Sequence, residues 1–262
     1  MAIRITFPGG RCKALTFSYD DGREFDRRLV KIFNDHGLKG TFHLNSGRLT
    51  DPERYVTLEE ISELFKGHEI SCHSFSHPFL ERIPRTEVMR EVWHDREILE
   101  KYANYPVTGM SYPMGTYDAE IVNMLKCCGI EYCRTTVSTY RFGIPDDLLL
   151  WHPTCHHVKA PELLDNFLNY RFGMAVFYVW GHSYEFDTAQ NWDLMEKFAD
   201  QIAGKNDIWY VTNIELARYI KAFRALVIST DGRMAYNPSA VTVWVDAGHG
   251  SMPVLPGATA AL

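Results

Sequence analysis

Short apolar runs alternate with helix-forming segments along most of the chain, and this alternation limits the possible fold more than any other feature of the sequence. Segments with a helical repeat of apolar residues separate most of the runs. Strands that alternate with helices in this way pack as a parallel sheet with the helices outside it. The pattern therefore predicts an α/β fold, as an open sheet or as a barrel. The predicted strands are Leu15–Tyr19, Thr41–Leu44, Glu69–Cys72, Thr108–Ser111, Tyr132–Arg134, Leu148–Trp151, Ala175–Trp180 and Ile208–Val211.

The helix-forming segments have recognisable boundaries. Thr57 and Glu60 have the spacing of a capping box, which predicts a helix from Thr57 to about Lys66. Further helices are predicted over Arg85–Ala103, over a segment that ends at Cys128 before Gly129, and near 161–172 and 191–203.

The character of the sequence changes from about residue 226. Leu226–Ser229 and Val241–Val245 read as short antiparallel strands, and the remaining residues are rich in Gly and Pro. A segment of roughly 37 residues rarely forms a core of its own. We therefore expect one large domain over residues 1–225 and a small β appendage over 226–262 packed on it.

Charge and hydropathy exclude several classes of partner. The 27 basic and 33 acidic residues give a formal charge of −6, which does not attract nucleic acid or an anionic membrane. No apolar run approaches the roughly 18 residues that a membrane span requires. The first residues also lack an apolar signal-peptide core, so a cytoplasmic location is expected. Exposed edges of the C-terminal strands would permit a homodimer.

Two carboxylates follow the first long strand, at Asp20-Asp21-Gly22. Active groups of parallel α/β folds lie at the carboxyl ends of strands, because the loops converge there. The repulsion between two adjacent carboxylates is relieved by a bound cation or by protonation of one of them. One of the pair could instead act only as a helix N-cap, and the motif alone does not separate these interpretations.

Two histidines four residues apart, His73 and His77, follow the strand Glu69–Cys72. At this spacing on a helical turn, two imidazoles lie on one face and can bind one cation. With Asp21 they would supply two His and one carboxylate, a ligand set typical of catalytic zinc that Fe, Co or Ni also accept. An isolated HxxxH pair is more often without a metal role.

Two further clusters follow predicted strands. One is the segment Trp180-Gly181-His182-Ser183-Tyr184-Glu185. An imidazole such as His182 ordinarily has a pKa of about 6.5, which suits it to deliver a proton at neutral pH, and Glu185 could orient it. The turn from Ser111 to Gly115 contains Tyr112 and Met114, and its backbone N–H groups could form an oxyanion site. Each cluster also has a purely structural interpretation, as a capped strand end or a turn. All four clusters lie at predicted strand ends in chain order, and that coincidence is far more specific than any one of them.

The order TFSYDDG, HSFSH, SYPMG and WGHSYE resembles the polysaccharide deacetylase family, the NodB-homology or carbohydrate esterase family 4 domain, over about residues 15–219. The resemblance implies a distorted (β/α) barrel of about seven parallel strands and metal-dependent hydrolysis of acetyl groups from amino sugars, with N-acetyl groups as the expected substrate and zinc as the expected metal. It also implies roles. Asp20 would be the general base, Asp21, His73 and His77 the metal ligands, and His182 the general acid.

The chain departs from the family pattern in two places. The turn block of the family begins with an Arg that holds the base, and here that position is Ser111. Arg134, just after a predicted strand, is our candidate to approach the site from another direction. No match to the Asp-Trp block that tunes the general acid is found, and Trp151 or Glu185 could replace it. Trp180 is a further candidate for contact with the substrate.

The sequence leaves two alternative functions open. The same domain resembles allantoinase-like enzymes that open cyclic amides or ureides, so the substrate could be a small amide instead of an acetylated sugar. The missing Arg also allows a sugar-binding protein without catalytic activity.

Overall fold

The computed structural model describes residues 3–262 of the chain. It contains fourteen strands, with bounds β1 Arg4–Thr6, β2 Lys13–Asp20, β3 Gly40–Leu44, β4 Glu69–Cys72, β5 Gly109–Ser111, β6 Tyr132–Arg134, β7 Cys155–His156, β8 Ala175–Gly181, β9 Ile208–Tyr210, β10 Val227–Ile228, β11 Met234–Tyr236, β12 Val243–Asp246, β13 Ser251–Val254 and β14 Thr259–Ala261 within those residues. The α-helices described there are α1 Asp26–Asp35, α2 Ile61–Leu64, α3 Arg85–Ala103, α4 Ala119–Cys127, α5 Ala160–Leu168, α6 Ser183–Thr188, α7 Trp192–Ile202 and α8 Asn213–Ala225.

The main sheet is parallel throughout and curves into a distorted barrel. Its strand order is β6-β5-β4-β3-β2-β8-β7, and β9 also pairs with β2. The predicted fold of about seven parallel strands with surrounding helices is confirmed. None of the helices in residues 3–262 has the length and apolar character needed to span a membrane.

One predicted strand is wrong. Leu148–Leu150 form a 3₁₀ turn, because the Asp147 side chain caps it by accepting the backbone N–H of Leu149. The strand that completes the sheet is the two-residue β7. The segment before β7 connects the two edges of the sheet, since the Trp151 N–H donates to the Cys133 carbonyl of β6 at 3.1 Å and the Thr154 N–H donates to the Tyr178 carbonyl of β8 at 2.9 Å.

The predicted helix from Thr57 to Lys66 is also shorter than expected. The Glu60 carboxylate does accept the Thr57 N–H at 2.7 Å, as in a capping box, but residues 58–60 form turns. Only the four residues of α2 are helical. The Thr57–Glu60 contact therefore stabilises a non-helical turn, which one turn of helix follows. Ile61 of that helix is buried in the core.

The two faces of β2 differ, and this difference positions the site. All eight residues of β2 are buried, because β3, β8 and β9 all pair with it. On one face, Phe17 and Tyr19 pack against Phe33 of α1, with ring centroids 4.6 and 6.0 Å apart. On the other face, Ser18 and Asp20 point into the barrel, where polar partners meet them. The alternation of side chains along a strand thus carries Asp20 to the mouth of the barrel.

The C-terminal strands form two small antiparallel sheets. One has the order β10-β11-β14, and the other has the order β1-β12-β13. Strand β1 comes from the start of the chain and pairs with β12, for example Ile5 opposite Val245. Buried apolar residues of both sheets pack against Ala222 and Phe223 of α8, which joins this β region to the barrel.

Candidate active site

The carboxyl ends of five strands bring the predicted site residues together. Asp20 ends β2, His73 follows β4, Ser111 ends β5, Arg134 ends β6 and His182 follows β8. In a parallel barrel these ends lie on one face, so residues distant in the sequence meet there.

Asp21, His73 and His77 form a cluster that fits a metal ion. The Asp21 Oδ1 atom lies 3.8 Å from His73 Nε2 and 3.6 Å from His77 Nε2, and the two Nε2 atoms are 3.0 Å apart. The Asp21 Oδ1 atom is buried, and no residue within 3–262 forms a hydrogen bond with it. One carboxylate oxygen and two imidazole nitrogens directed at one point form the kind of donor set that binds zinc.

The surroundings of His73 prepare it to be a ligand. Its Nδ1 atom lies 3.0 Å from the carbonyl oxygen of Ser111, which can only accept, so Nδ1 carries the proton and Nε2 presents a lone pair. Burial lowers the pKa of His73 well below its ordinary value and also lowers the pKa of His77. Both imidazoles are therefore neutral, which metal binding requires.

The HSFSH segment is a loop and not the helical turn expected from the spacing of its histidines. Ser74 and His77 have positive φ angles of 66°, and such a conformation interrupts a helix. The loop is fixed by Asp95, whose carboxylate accepts the His73 N–H at 3.1 Å, and by Asn45, whose side-chain amide donates to the carbonyl oxygens of His73 and Ser74. The tight loop, instead of a helix face, brings the two imidazoles together.

Arg134 forms a buried ion pair with Asp20. The guanidinium is fully buried, the Asp20 side chain is 3% exposed, and an Nη atom of Arg134 contacts an Oδ atom of Asp20. Burial alone would raise the pKa of Asp20, but the charge of Arg134 opposes burial and the pKa lies far below its ordinary range. Asp20 is therefore ionised, and its approach by Arg134 from β6 agrees with the expectation drawn from the missing Arg at Ser111.

Ser111 connects the Asp20 carboxylate to the cluster of Asp21, His73 and His77. Its hydroxyl donates to Asp20 Oδ1 at 3.1 Å and lies 2.7 Å from His73 Nδ1. A residue that seemed only a departure from the family pattern thus touches both a predicted ligand and the predicted base. Nothing in the local sequence indicates this contact, because it depends on the pairing of β4 with β5.

His182 contacts Glu185 at the start of α6. Its Nδ1 atom lies 3.1 Å from Glu185 Oε1, and its backbone N–H donates to Glu185 Oε2 at 3.2 Å. Burial opposes protonation, but the hydrogen bond to Glu185 and the charges of Asp20 and Asp21 raise the pKa of His182 above its ordinary value. The imidazole is thus suited to carry a proton near neutral pH.

The remaining predicted residues lie at different depths. Trp180 lies beside Arg134, whose guanidinium carbon is 4.5 Å from its ring centroid. Met114 is in the turn after β5 with a φ angle of 58°, and its side chain is 47% exposed at the rim. The Tyr112 side chain is not in this cluster, because it is buried and its hydroxyl donates to the Leu149 carbonyl at 2.9 Å. Trp151 is also buried, with its ring against Tyr178.

Comparison with known proteins gives the same family as the motifs. Residues 8–133 match the family model "Polysaccharide deacetylase". Over 116 residues, 44% of this chain, the sequence is 25% identical to the peptidoglycan-N-acetylmuramic acid deacetylase PdaC of Bacillus subtilis, of which the match covers 24%. Over 106 residues, 40% of this chain, it is 28% identical to chitin deacetylase 1 of Cryptococcus neoformans var. grubii, of which the match covers 22%. The chain thus spans about a quarter of the length of these two relatives. The resemblance to polysaccharide deacetylases is confirmed.

Solved structures with the same fold extend over more of the chain. A structure from Mycobacterium smegmatis assigned to the polysaccharide deacetylases superposes with a TM-score of 0.64 at 16% identity, covering 85% of this chain and 95% of that one. A CE4 family pseudoenzyme from Bacillus anthracis superposes with a TM-score of 0.51 at 17% identity, covering 82% of this chain and 68% of that one. At these identities the two structures show the fold alone.

Proposed function

Because residues 8–133 match the polysaccharide deacetylase family, we propose that this chain is a metal-dependent hydrolase that removes acetyl groups, most simply N-acetyl groups, from a carbohydrate. The observation that carries the proposal is the cluster of Asp21, His73 and His77 beside the buried carboxylate of Asp20. If these residues had only a structural role, Asp21 would form an ion pair with protonated histidines. Instead its buried Oδ1 has no hydrogen-bond partner within residues 3–262, and both imidazoles are neutral.

In this proposal Asp21, His73 and His77 hold a divalent ion, most simply zinc. When bound, such an ion polarises an acyl oxygen and makes water acidic enough to react near neutral pH. The Ser111 carbonyl keeps the His73 proton on Nδ1, and Asp95 keeps the loop in the conformation that presents both imidazoles.

Asp20 would act as general base towards the attacking water. Its carboxylate is ionised, and Arg134 and the Ser111 hydroxyl hold it on the side facing His73. A carboxylate held in this way accepts a proton along one defined direction, which is the geometric requirement for base catalysis. The backbone N–H of Met114, in the turn after β5, is our candidate for a contact with the developing oxyanion.

His182 would supply the proton that an amine leaving group needs. Its Nδ1 atom faces Glu185, so the opposite nitrogen, Nε2, is the one available to a substrate. The charges of Asp20 and Asp21 both act on the imidazole and favour its protonated form. Two titratable groups whose pKa values are shifted in opposite directions, as for Asp20 and His182, are the pattern of a base and an acid.

The experiment is acetate release from a panel of N- and O-acetylated mono- and oligosaccharides. Parent enzyme loaded with zinc is compared with chelated enzyme and with Asp20→Asn. We expect release that requires metal, and a loss of roughly 10²–10⁴ in turnover for Asp20→Asn with metal still bound, which is the usual contribution of general acid–base catalysis. His73→Gln should instead release the metal.

Each part of the proposal is refuted by a different result. Near-normal turnover by Asp20→Asn would refute the role of Asp20 as the base. Opening of a cyclic ureide without acetate release from any sugar would move the substrate to small cyclic amides. Sugar binding without metal and without turnover would identify a binding protein on this fold.

A further inference from the structure

Glu185 contacts a second histidine that no motif connects with catalysis. Its Oε2 atom lies 2.9 Å from His156 Nε2, while its Oε1 atom faces His182 at 3.1 Å. We propose that His156 is a positioning residue, which fixes the Glu185 carboxylate and through it the orientation of His182. The inference rests on the proposed function only in taking His182 as the general acid.

A carboxylate at this place needs a second contact to stay in one orientation. The Glu185 side chain is 32% exposed, and a glutamate has three rotatable bonds that water leaves free. The backbone N–H of His182 alone, at 3.2 Å, fixes one oxygen weakly. His156 Nε2 lies closer to the same oxygen, at 2.9 Å, and this contact keeps Oε1 directed at His182 Nδ1.

His156 itself is on a rigid element, which a positioning residue requires. It ends β7, where it lies opposite Trp180 of β8 in the parallel register. Its ring packs edge-on against the Trp180 indole with centroids 5.0 Å apart, and against the His157 ring at 4.2 Å. The strand and these ring contacts therefore hold the imidazole in place without any contribution from Glu185.

His156, His182 and Glu185 also have the spacing of a metal site, and the hydrogen bonds decide against that interpretation. Oε2 of Glu185 already receives the His182 backbone N–H and faces His156 Nε2, and His157 Nε2 lies 3.5 Å away. These three nitrogen atoms occupy the positions around Oε2 that hydrogen-bond donors take around a carboxylate oxygen. A cation bound to Glu185 would have to displace these contacts. It would also bind His182 Nδ1, the atom through which Glu185 orients the ring.

Several charged groups besides Glu185 act on His182. The strand ends and helices around it contribute carboxylates and imidazoles, namely Asp20, Asp21, Asp26, His77, His156 and His157. A substitution of His156 leaves all the carboxylates in place. Its main effect should therefore be on the orientation of His182 and not on the net charge around it.

The test compares His156→Ala with His156→Gln, which keeps an N–H donor near the position of Nε2. For the sugar that releases acetate, we expect His156→Ala to lower kcat roughly 10- to 100-fold, as misplacement of a catalytic group does, with KM within about twofold of the parent. His156→Gln should recover most of the loss. His94→Ala, at an exposed histidine of α3, is the matched control.

A second readout needs no substrate. Imidazole ¹⁵N–¹H NMR of the full chain, assigned with His182→Asn, should show His182 with its proton held on Nδ1 in the parent and in His156→Gln. In His156→Ala that signal should be lost to exchange. If both readouts of His156→Ala match the parent, or if His156→Gln is as impaired as His156→Ala, the proposal is overturned. A fall from two bound metal ions per chain to one in His156→Ala would also overturn it.

Discussion

Removing one partner of the ion pair between Arg134 and Asp20 should destabilise the fold far more than removing one partner of an exposed pair. Both side chains are essentially buried, at 0% and 3% exposed. Two unit charges at about 4 Å interact with about 4 kcal/mol at an effective dielectric constant of 20. Removing one partner of such a pair costs about 3–5 kcal/mol, because the other charge stays buried without compensation.

A double-mutant cycle isolates this energy. Arg134→Met removes the charge and keeps a side chain of similar length, Asp20→Asn removes the opposite charge, and the double variant removes both. We expect each single variant to lose about 3–5 kcal/mol of unfolding free energy, and the double variant to lose less than the sum by about 3–4 kcal/mol. Urea unfolding at pH 7, with chelator in every sample, measures the cycle without any contribution from bound metal.

The control cycle uses an exposed ion pair. Lys31 and Asp35 are 2.7 Å apart on α1, with side chains 74% and 56% exposed. Their coupling should be about 0.5 kcal/mol or less. A coupling of Arg134 with Asp20 as small as this would refute the argument that Arg134 compensates the charge of the buried carboxylate, and would leave the contact as packing alone.

Two further predictions concern residues behind the site. Burial raises the pKa of Asp26 to about 8, against a usual value of 3.8, so the folded chain binds a proton that the unfolded chain releases, and stability falls as pH rises between these values. Asp26→Asn should therefore gain stability relative to the parent from pH 5 to pH 8, by at most about 4 kcal/mol, whereas the exposed Asp165→Asn should show no such trend in urea unfolding. Gly181→Ala should lose about 1–3 kcal/mol and part of the activity, because the new Cβ would overlap the buried His157 ring. Gly143→Ala, which meets no atom within 4 Å, is the control for thermal unfolding, and equal losses in both would contradict the overlap.

The sequence predicts the parallel α/β sheet, and the grouping of Asp21, His73 and His77 at one edge of it, because both depend on local signals. Strand ends are marked by apolar runs, and a polar residue after such a run lies at the carboxyl edge whatever the rest of the chain does. The strand β7 escaped prediction because two residues are too few to show a period. The neighbouring apolar run from Leu148 to Leu150 looked more like a strand, but an Asp cap turned it into a 3₁₀ turn.

Contacts between distant strands account for what the sequence does not reveal. The spacing of His73 and His77 suggested a helix, and the structure achieves the same proximity with positive φ angles in a loop held by Asp95, 22 residues further along the chain. His156 lies 29 residues from Glu185 in the sequence, and nothing local joins them. Such pairs follow from strand order, which a pattern of apolar residues does not specify.

The position of Arg134 follows from the pairing of β5 with β6. Adjacent parallel strands end side by side, and Ser111 of β5 is paired in register with Arg134 of β6. A long guanidinium side chain on β6 can therefore reach the carboxylate across the small side chain at Ser111, whereas an arginine at both positions would bring two buried cations together. The Ser111 hydroxyl donates to Asp20 and also contacts His73 Nδ1, a pair of contacts that an arginine there could not make because it only donates. In this chain the positive charge beside the buried Asp20 carboxylate comes from β6, and the register of β5 and β6 places Ser111 and Arg134 side by side at that point.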